Sequence, residues 1–142
     1  MTVAAILAEK GRDVLTIAAA KTIAEAVEIL AKRRVGALVV VEGGDRIVGI
    51  VSERDIVRAL ATGAGALKQP LSSVMTRDVM TCSDGETIDS VMSRMTKGRF
   101  RHLPVAENGR LTGIISIGDV VKARIEQVER EAEEMRAYIA TA

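Results

Sequence analysis

Short β-branched runs and amphipathic stretches alternate along the chain, and the alternation occurs twice. Residues 14–17 read as a strand, and Thr22 then opens a helix. Glu25 stands three residues after Thr22, the spacing of a capping box, and Ile23, Ala26, Val27 and Leu30 fall on one helical face. A β-branched run follows over residues 37–41, then Gly43-Gly44, then a returning strand over 46–51. Ser52 is placed to cap a closing helix. The second half repeats this order. It has a strand over 79–82, a helix opened by Thr87 with the stripe Ile88, Val91, Met92 and Met95, and a run over 103–106. Asn108-Gly109 makes its turn, a return strand covers 111–115, and Ser116 caps the last helix. Each unit is strand, helix, strand, strand, helix, and the fold class is α/β (α+β).

The similarity reaches individual residues. Asp13-Val14-Leu15-Thr16 recurs as Asp78-Val79-Met80-Thr81, 65 positions on, and Lys32, Arg34, Leu38, Val40 and Gly44 keep that offset to Lys97, Arg99, Leu103, Val105 and Gly109. One deletion later, Gly49-Ile50-Val51-Ser52 meets Gly113-Ile114-Ile115-Ser116, and Asp55 meets Asp119. Such register over most of each unit indicates an internal repeat. The halves divide as 1–65 and 66–142, each with a short helical lead-in, over 1–10 and 71–75. Thr62-Gly63-Ala64-Gly65 and Lys68-Gln69-Pro70 read as a flexible break between them.

The final helix is longer than its counterpart, running from Ser116 to about Ile139. Val121, Ile125, Val128, Ala132, Met135 and Ile139 follow steps of four and three, a narrow heptad seam with Glu126, Arg130, Glu133 and Glu134 on the other face. The body should already be covered by its own helices, so the seam is expected to pair two copies in a homodimer; packing back onto its own chain is the alternative.

Composition narrows the chemistry. The 142 residues are 48% hydrophobic and 27% charged, as in a globular protein, but contain one Phe, one Tyr and no Trp. The core must be aliphatic, and stacking on single-stranded nucleic acid is disfavoured. A net charge of +1 gives no general attraction to nucleic acid or acidic membranes, though Lys97, Arg99 and Arg101 form a local basic cluster. One Cys and one His do not make a structural zinc site, and Cys82 is expected to be a buried apolar residue. The longest apolar run, residues 35–41, is too short to cross a bilayer, and residues 1–10 do not resemble a secretory signal. A bacterial cytoplasm or an organelle matrix is the expected location. No nucleophile–base set, Walker loop or G-x-G-x-x-G is visible, so an enzyme is not expected.

The segments Gly49-Ile50-Val51-Ser52-Glu53-Arg54-Asp55, Gly113-Ile114-Ile115-Ser116-Ile117-Gly118-Asp119 and Arg101-His102-Leu103-Pro104-Val105 resemble the CBS-domain family, and the resemblance covers about the whole chain. It is similar to small two-repeat CBS proteins of bacteria and plant mitochondria. The resemblance implies two repeats related by a pseudo-two-fold axis, two clefts between them, a flat dimer of such units, and a ligand of the AMP, ATP or NAD class, with S-adenosylmethionine a weaker candidate. No metal is implied.

The duplicated Ser-x-x-Asp suits such a ligand. A helix N-terminus offers free N–H groups to phosphate, and an Asp one turn in accepts hydrogen bonds from a ribose diol. The same pattern is also a common helix start, and capping and ligation can coexist. By the resemblance, Ser52, Arg54 and Asp55 face Thr81, Arg101, His102, Leu103 and Pro104, while Ser116 and Asp119 face Thr16, Ala18, Gly36, Ala37 and Leu38. Arg101-His102 stands where the first repeat has Gly36-Ala37, so the first cleft is expected to be the better phosphate site. The expected function is ligand sensing; a structural dimerising adaptor with vacant clefts is the alternative.

Overall fold

In a computed structural model, which describes residues 1–141, the chain builds one five-stranded sheet flanked by helices. The elements are α1 (Val3–Lys10), β1 (Thr16–Ile17), α2 (Ile23–Arg33), β2 (Ala37–Glu42), β3 (Arg46–Ser52), α3 (Glu53–Leu60), α4 (Ile88–Gly98), β4 (His102–Glu107), β5 (Arg110–Ser116) and α5 (Ile117–Thr141). Strand order is β1-β2-β3-β5-β4, so each half contributes an antiparallel hairpin and the two meet along β3 and β5. The junction is short. Ile47 N–H donates to Gly109 O at 3.3 Å, Leu111 N–H to Asp45 O at 2.8 Å, and Arg110 pairs with Asp45.

Local chemistry explains the repetition. Thr22 and Glu25 form the expected capping box, and Thr87 Oγ1 accepts from Ser90 N–H. Both α2 and α4 end on an arginine in the left-handed region, Arg34 at φ 54° and Arg99 at φ 55°. The hairpin turns take positive φ at both central residues, at Gly43-Gly44 and Asn108-Gly109, as tight hairpins require. The first loop holds one more residue, Asp45, before Arg46 pairs with Glu42. That extra residue is the one-position slip in the repeat.

Three expectations change. Before β2 only Thr16–Ile17 is strand, and residues 79–82 form none; Cys82 alone bridges Val105 in parallel. The Thr81 carbonyl is taken by Arg94 Nη2 at 2.6 Å, so a side chain satisfies what a neighbouring strand would have. The supposed flexible break is ordered. Residues Ala64–Lys68 form a 3₁₀ helix that buries Ala66, and Gln69 O accepts from Ile23 N–H at 2.9 Å. Residues Leu71–Ser73 make a second 3₁₀ turn with Leu71 fully buried.

The third change concerns the boundary between halves. The sheet covers two aliphatic cores, and each takes the other half's lead-in. Val3, Ile6 and Leu7 of α1 pack with Ile88, Val91, Leu103 and Ile115. Ala66, Leu71 and Met75 pack with Ile23, Leu38 and Val51. The exchange is symmetric in its hydrogen bonds: Val3 N–H donates to Glu86 O at 2.9 Å, and Leu71 N–H to Lys21 O at 2.8 Å. A division at residue 65 therefore separates the sequence units but cuts through both cores. Gly49 and Gly113 make room for the exchange. A Cβ on Gly49 would lie 2.6 Å from Met75 Sδ and 3.1 Å from Thr76 O, and one on Gly113 would lie 2.9 Å from Leu7 Cδ1.

Cys82 is buried as expected, with its thiol pushed up to about 12, chiefly by burial. Helix α5 starts and ends within two residues of its expected span, and its seam is uncovered in the single chain. Val121, Ile125, Val128, Met135 and Ile139 are all exposed, as is Ala132. No helix of the described residues is long and apolar enough to cross a membrane.

Candidate ligand cleft at Asp55

The chain reverses from β3 into α3 at Ser52. Ser52 Oγ accepts from Asp55 N–H at 3.3 Å, and Asp55 Oδ2 accepts from Ser52 N–H at 2.8 Å and Ser52 Oγ at 3.0 Å. The carboxylate is thus fixed through one oxygen, half-buried at the helix entrance. No donor among the described residues bonds its other oxygen, Oδ1.

In front of Asp55 lies a cavity of about 600 Å³, a volume suited to a small ligand. Both halves build it. Gly36, Ala37, Ile50, Ser52, Glu53, Arg54, Asp55 and Arg58 come from the first. Thr76, Asp78, Val79, Met80 and the end of α4 through the start of β4 come from the second. Ala37, Ile50, Val79, Met80 and Pro104 supply apolar wall. Arg54, Arg58, Arg99 and Arg101 supply positive charge.

His102 is on the wall, packed against Gly36, where a Cβ would lie 3.1 Å from its Cε1. Burial lowers its pKa; Glu53 and Asp119 act to raise it, Lys10 and Arg101 to lower it further. It is therefore a neutral imidazole at pH 7.

Of the residues expected at the first cleft, Ser52, Arg54, Asp55, Arg101, His102 and Pro104 line this one cavity. The structure separates Thr81 and Leu103 from them. Thr81 lies on another, smaller depression with Arg77 and Asn108, and Leu103 points into the core, fully buried. The strand that would have aimed Thr81 at Asp55 does not form, and β4 alternation turns Leu103 to the opposite face from His102.

The set expected around Asp119 is dispersed further. Gly36 and Ala37 line the Asp55 cleft, Leu38 is core, and Thr16 and Ala18 are exposed. Ser116 and Asp119 reproduce the local cap, Ser116 N–H donating to Asp119 Oδ2 at 2.8 Å. Here, however, Lys10 from α1 reaches Asp119 Oδ2 at 2.7 Å and Ile114 O at 2.9 Å. Burial acts to raise the Asp119 pKa, but the bonds from Lys10 and Ser116 outweigh it and the net shift is downward. The second carboxylate is thus already paired within the chain.

Residues not expected at the cleft include Arg58, Phe100, Thr76 and Met80. Arg58 had a signal in its i, i+4 spacing from Arg54 on a predicted helix. Phe100, the chain's only Phe, folds back over Gly98, where any Cβ would collide with its ring.

The sequence pattern of the CBS domain matches residues 7–62 and 71–126. The chain belongs to the CBS-domain family. A CBS-domain containing protein of Arabidopsis thaliana, CBSCBSPB1, is 34% identical over 127 residues, which are 89% of this chain but 23% of that protein, so the chain spans about a quarter of that relative. Among solved structures, the CBS-domain containing protein ATU1752 from Agrobacterium tumefaciens is 50% identical, with a TM-score of 0.84 over 87% of this chain and 99% of that one. The CBS pair of protein MJ0100, solved with 5′-methylthioadenosine and S-adenosyl-L-methionine, is 29% identical with a TM-score of 0.79 over 89% and 98% of the two chains. The protein PAE2072 from Pyrobaculum aerophilum, complexed with AMP, is 31% identical with a TM-score of 0.75 over 84% and 89%. This CBS pair therefore shares its fold with proteins that bind adenosine-containing ligands.

Proposed function

We propose that this CBS pair is a non-catalytic sensor that binds one adenine nucleotide per chain, of the AMP, ATP or NAD class, in the Asp55 cleft. The observation that carries the reading is a cavity shared by both halves, with an anchored carboxylate facing four arginines. Asp55 Oδ1 accepts the ribose diol, the base lies among Val79, Met80, Ile50 and Pro104, and the arginines take phosphate. The AMP complex of PAE2072 and the adenosine ligands of MJ0100 support the ligand class. Because the ligand contacts both halves, it favours whichever relative placement closes the cleft, and that differential affinity is the signal.

Titration calorimetry with AMP, ATP, NAD and S-adenosylmethionine tests the reading. The expected result is binding near one ligand per chain. Lys10→Met is expected to raise the stoichiometry toward two by freeing Asp119. A chain that gives neither heat nor a thermal shift with any of these compounds does not have this function.

The uncovered seam of α5 supports a homodimer. Its apolar positions lie on one face while Glu126, Arg130, Glu133 and Glu134 occupy others, the division a two-helix contact needs. Truncation after Arg124 is expected to convert dimer to monomer in light scattering with the thermal transition of the body retained; a truncated chain that remains dimeric places the interface elsewhere.

A further inference from the structure

Helix α5 runs for 25 residues, about 38 Å, yet only Val120 and Ala123 on it are buried. Beyond Gln127 every described residue is exposed. The seam from Val121 to Ile139 has no cover within the chain, so the charges along its two borders govern how a second copy can lie on it. The seam alternates between positions d and a of a heptad, starting with d at Val121. Arg124, Glu131 and Tyr138 then fall at g, and Lys122, Glu129 and Arg136 at e. Glu129, Glu131 and Arg136 enter no ion pair among the described residues. Lys122 and Arg124 have only long ones, to Glu9 at 3.6 Å and Asp89 at 3.5 Å, between side chains open to water, where such pairs contribute little.

Two such helices lying parallel and in register bring each g residue beside the e residue five positions on in the other copy. Arg124 then meets the partner's Glu129, and Glu131 meets the partner's Arg136. Symmetry makes each contact twice, and all six seam positions are covered. Reversing one helix brings g beside g and e beside e. In the antiparallel register that covers all six positions, Glu131 faces the partner's Glu131, Glu129 the partner's Glu129, and Lys122 the partner's Arg136, so each of these contacts is repulsive. Sliding the antiparallel pair by one heptad restores opposite charges but leaves two seam positions of each chain in water. These are Met135 and Ile139 in one direction, Val121 and Ile125 in the other. Leaving such side chains exposed forfeits more than surface ion pairs return. A parallel pair slid by one heptad sets Arg124 beside a lysine or an arginine and also shortens the seam. Of these arrangements, the parallel, in-register one alone joins full burial to matched charge.

We infer that α5 pairs with the α5 of a second copy in parallel and in register, and that contacts of Arg124 with Glu129 and of Glu131 with Arg136 between the copies select this orientation. The inference rests on the homodimer reading, to which it adds the direction of the partner. The two bodies then stand side by side at one end of the helix pair, with the starts of the two α5 helices about 10 Å apart. An antiparallel pair would hold the bodies at opposite ends.

Disulfide trapping and sedimentation equilibrium on the full chain test this. Ile139→Cys places a thiol that meets its own copy in the parallel pair; in each of the antiparallel registers above, the two thiols lie at least about 16 Å apart along the axis. Cys82 is buried, with its thiol pushed up to about 12, so the unsubstituted chain is the control. More than about half of the Ile139→Cys dimer is expected to cross-link under mild oxidation. At low salt, Arg136→Glu is expected to weaken dimerisation at least about five-fold, and Glu131→Lys/Arg136→Glu to return it to within about two-fold of the original, the pair being exchanged and not lost. These positions are exposed, so the body of the fold is untouched. A dimer that does not cross-link through residue 139, or that Arg136→Glu tightens, overturns the parallel orientation and leaves the homodimer in place. A double variant as weak as Arg136→Glu alone overturns the pairing of Glu131 with Arg136. A chain that stays monomeric, or a dimer that survives truncation after Arg124, overturns both the orientation and the α5 homodimer.

Discussion

Asp55→Ala weakens binding of the adenosine ligand by about 100-fold, or about 2.7 kcal/mol, measured by calorimetry. The size follows from two hydrogen bonds from a sugar diol to a charged acceptor, each of which contributes about 1.5–3 kcal/mol. It also follows from the geometry: Asp55 Oδ2 is committed to Ser52 and Oδ1 is left to the cavity. Because the substitution removes one arm of a capping box, it also lowers stability, by about 1 kcal/mol. Asp55→Asn separates the two effects, keeping an acceptor for Ser52 while removing the charge. The matched change Asp119→Ala leaves the affinity within about three-fold, since Asp119 does not line the Asp55 cavity and its charge is already paired with Lys10 through Oδ2. Equal losses at Asp55 and Asp119 would show that the two clefts are alike, against the asymmetry found here.

The second large effect is on folding. Gly49→Val costs about 3 kcal/mol and lowers the melting temperature by about 10 °C. Its Cβ meets both the Met75 sulfur and the Thr76 carbonyl. The sulfur can move, but the carbonyl is held: Ile50 N–H donates to Thr76 O at 3.0 Å, and Thr76 N–H donates to Ile50 O at 2.9 Å. Gly113→Val is expected to cost less, because the atoms in its way belong only to the Leu7 side chain. Thermal unfolding of the two variants checks the order. If Gly113→Val is the more damaging, the lead-ins are not exchanged between halves as described.

The sequence made the repeat and its hairpins readable because their signals are local. Thr22 with Glu25, Asn108-Gly109 and Ser52 with Asp55 each specify a turn or a helix start within a few residues. The α5 span was readable for the same reason. The exchange of lead-ins was not, because nothing within residues 1–10 says which core will receive Val3 and Leu7; that depends on where Gly113 leaves space, over a hundred positions away. The strand expected at residues 79–82 failed for a related reason. Its β-branched character is real, but Arg94, a helix residue, takes the carbonyl at Thr81. Thr81 was thereby lost from the cleft, while the neighbouring Val79 and Met80 were gained.

The same distance effect governs the clefts. Two Ser-x-x-Asp segments read alike, and their internal hydrogen bonds are alike. What distinguishes them is supplied from outside: Lys10 to Asp119, and arginines from α3 and from the turn between α4 and β4 to the space before Asp55. Arg101 and His102 could be picked out by comparing the repeats at Gly36-Ala37. Arg58 and Arg99 required knowing that α3 and the end of α4 face each other.

A crystal structure of the chain grown with ADP tests the central claim most directly. Density is expected for the ribose with its two hydroxyls on the Asp55 carboxylate, the base against Val79 and Met80, and the phosphates among the arginines. A ligand seated at Asp119 with Lys10 displaced, or one on the Asp55 side whose sugar makes no bond to that carboxylate, would contradict it.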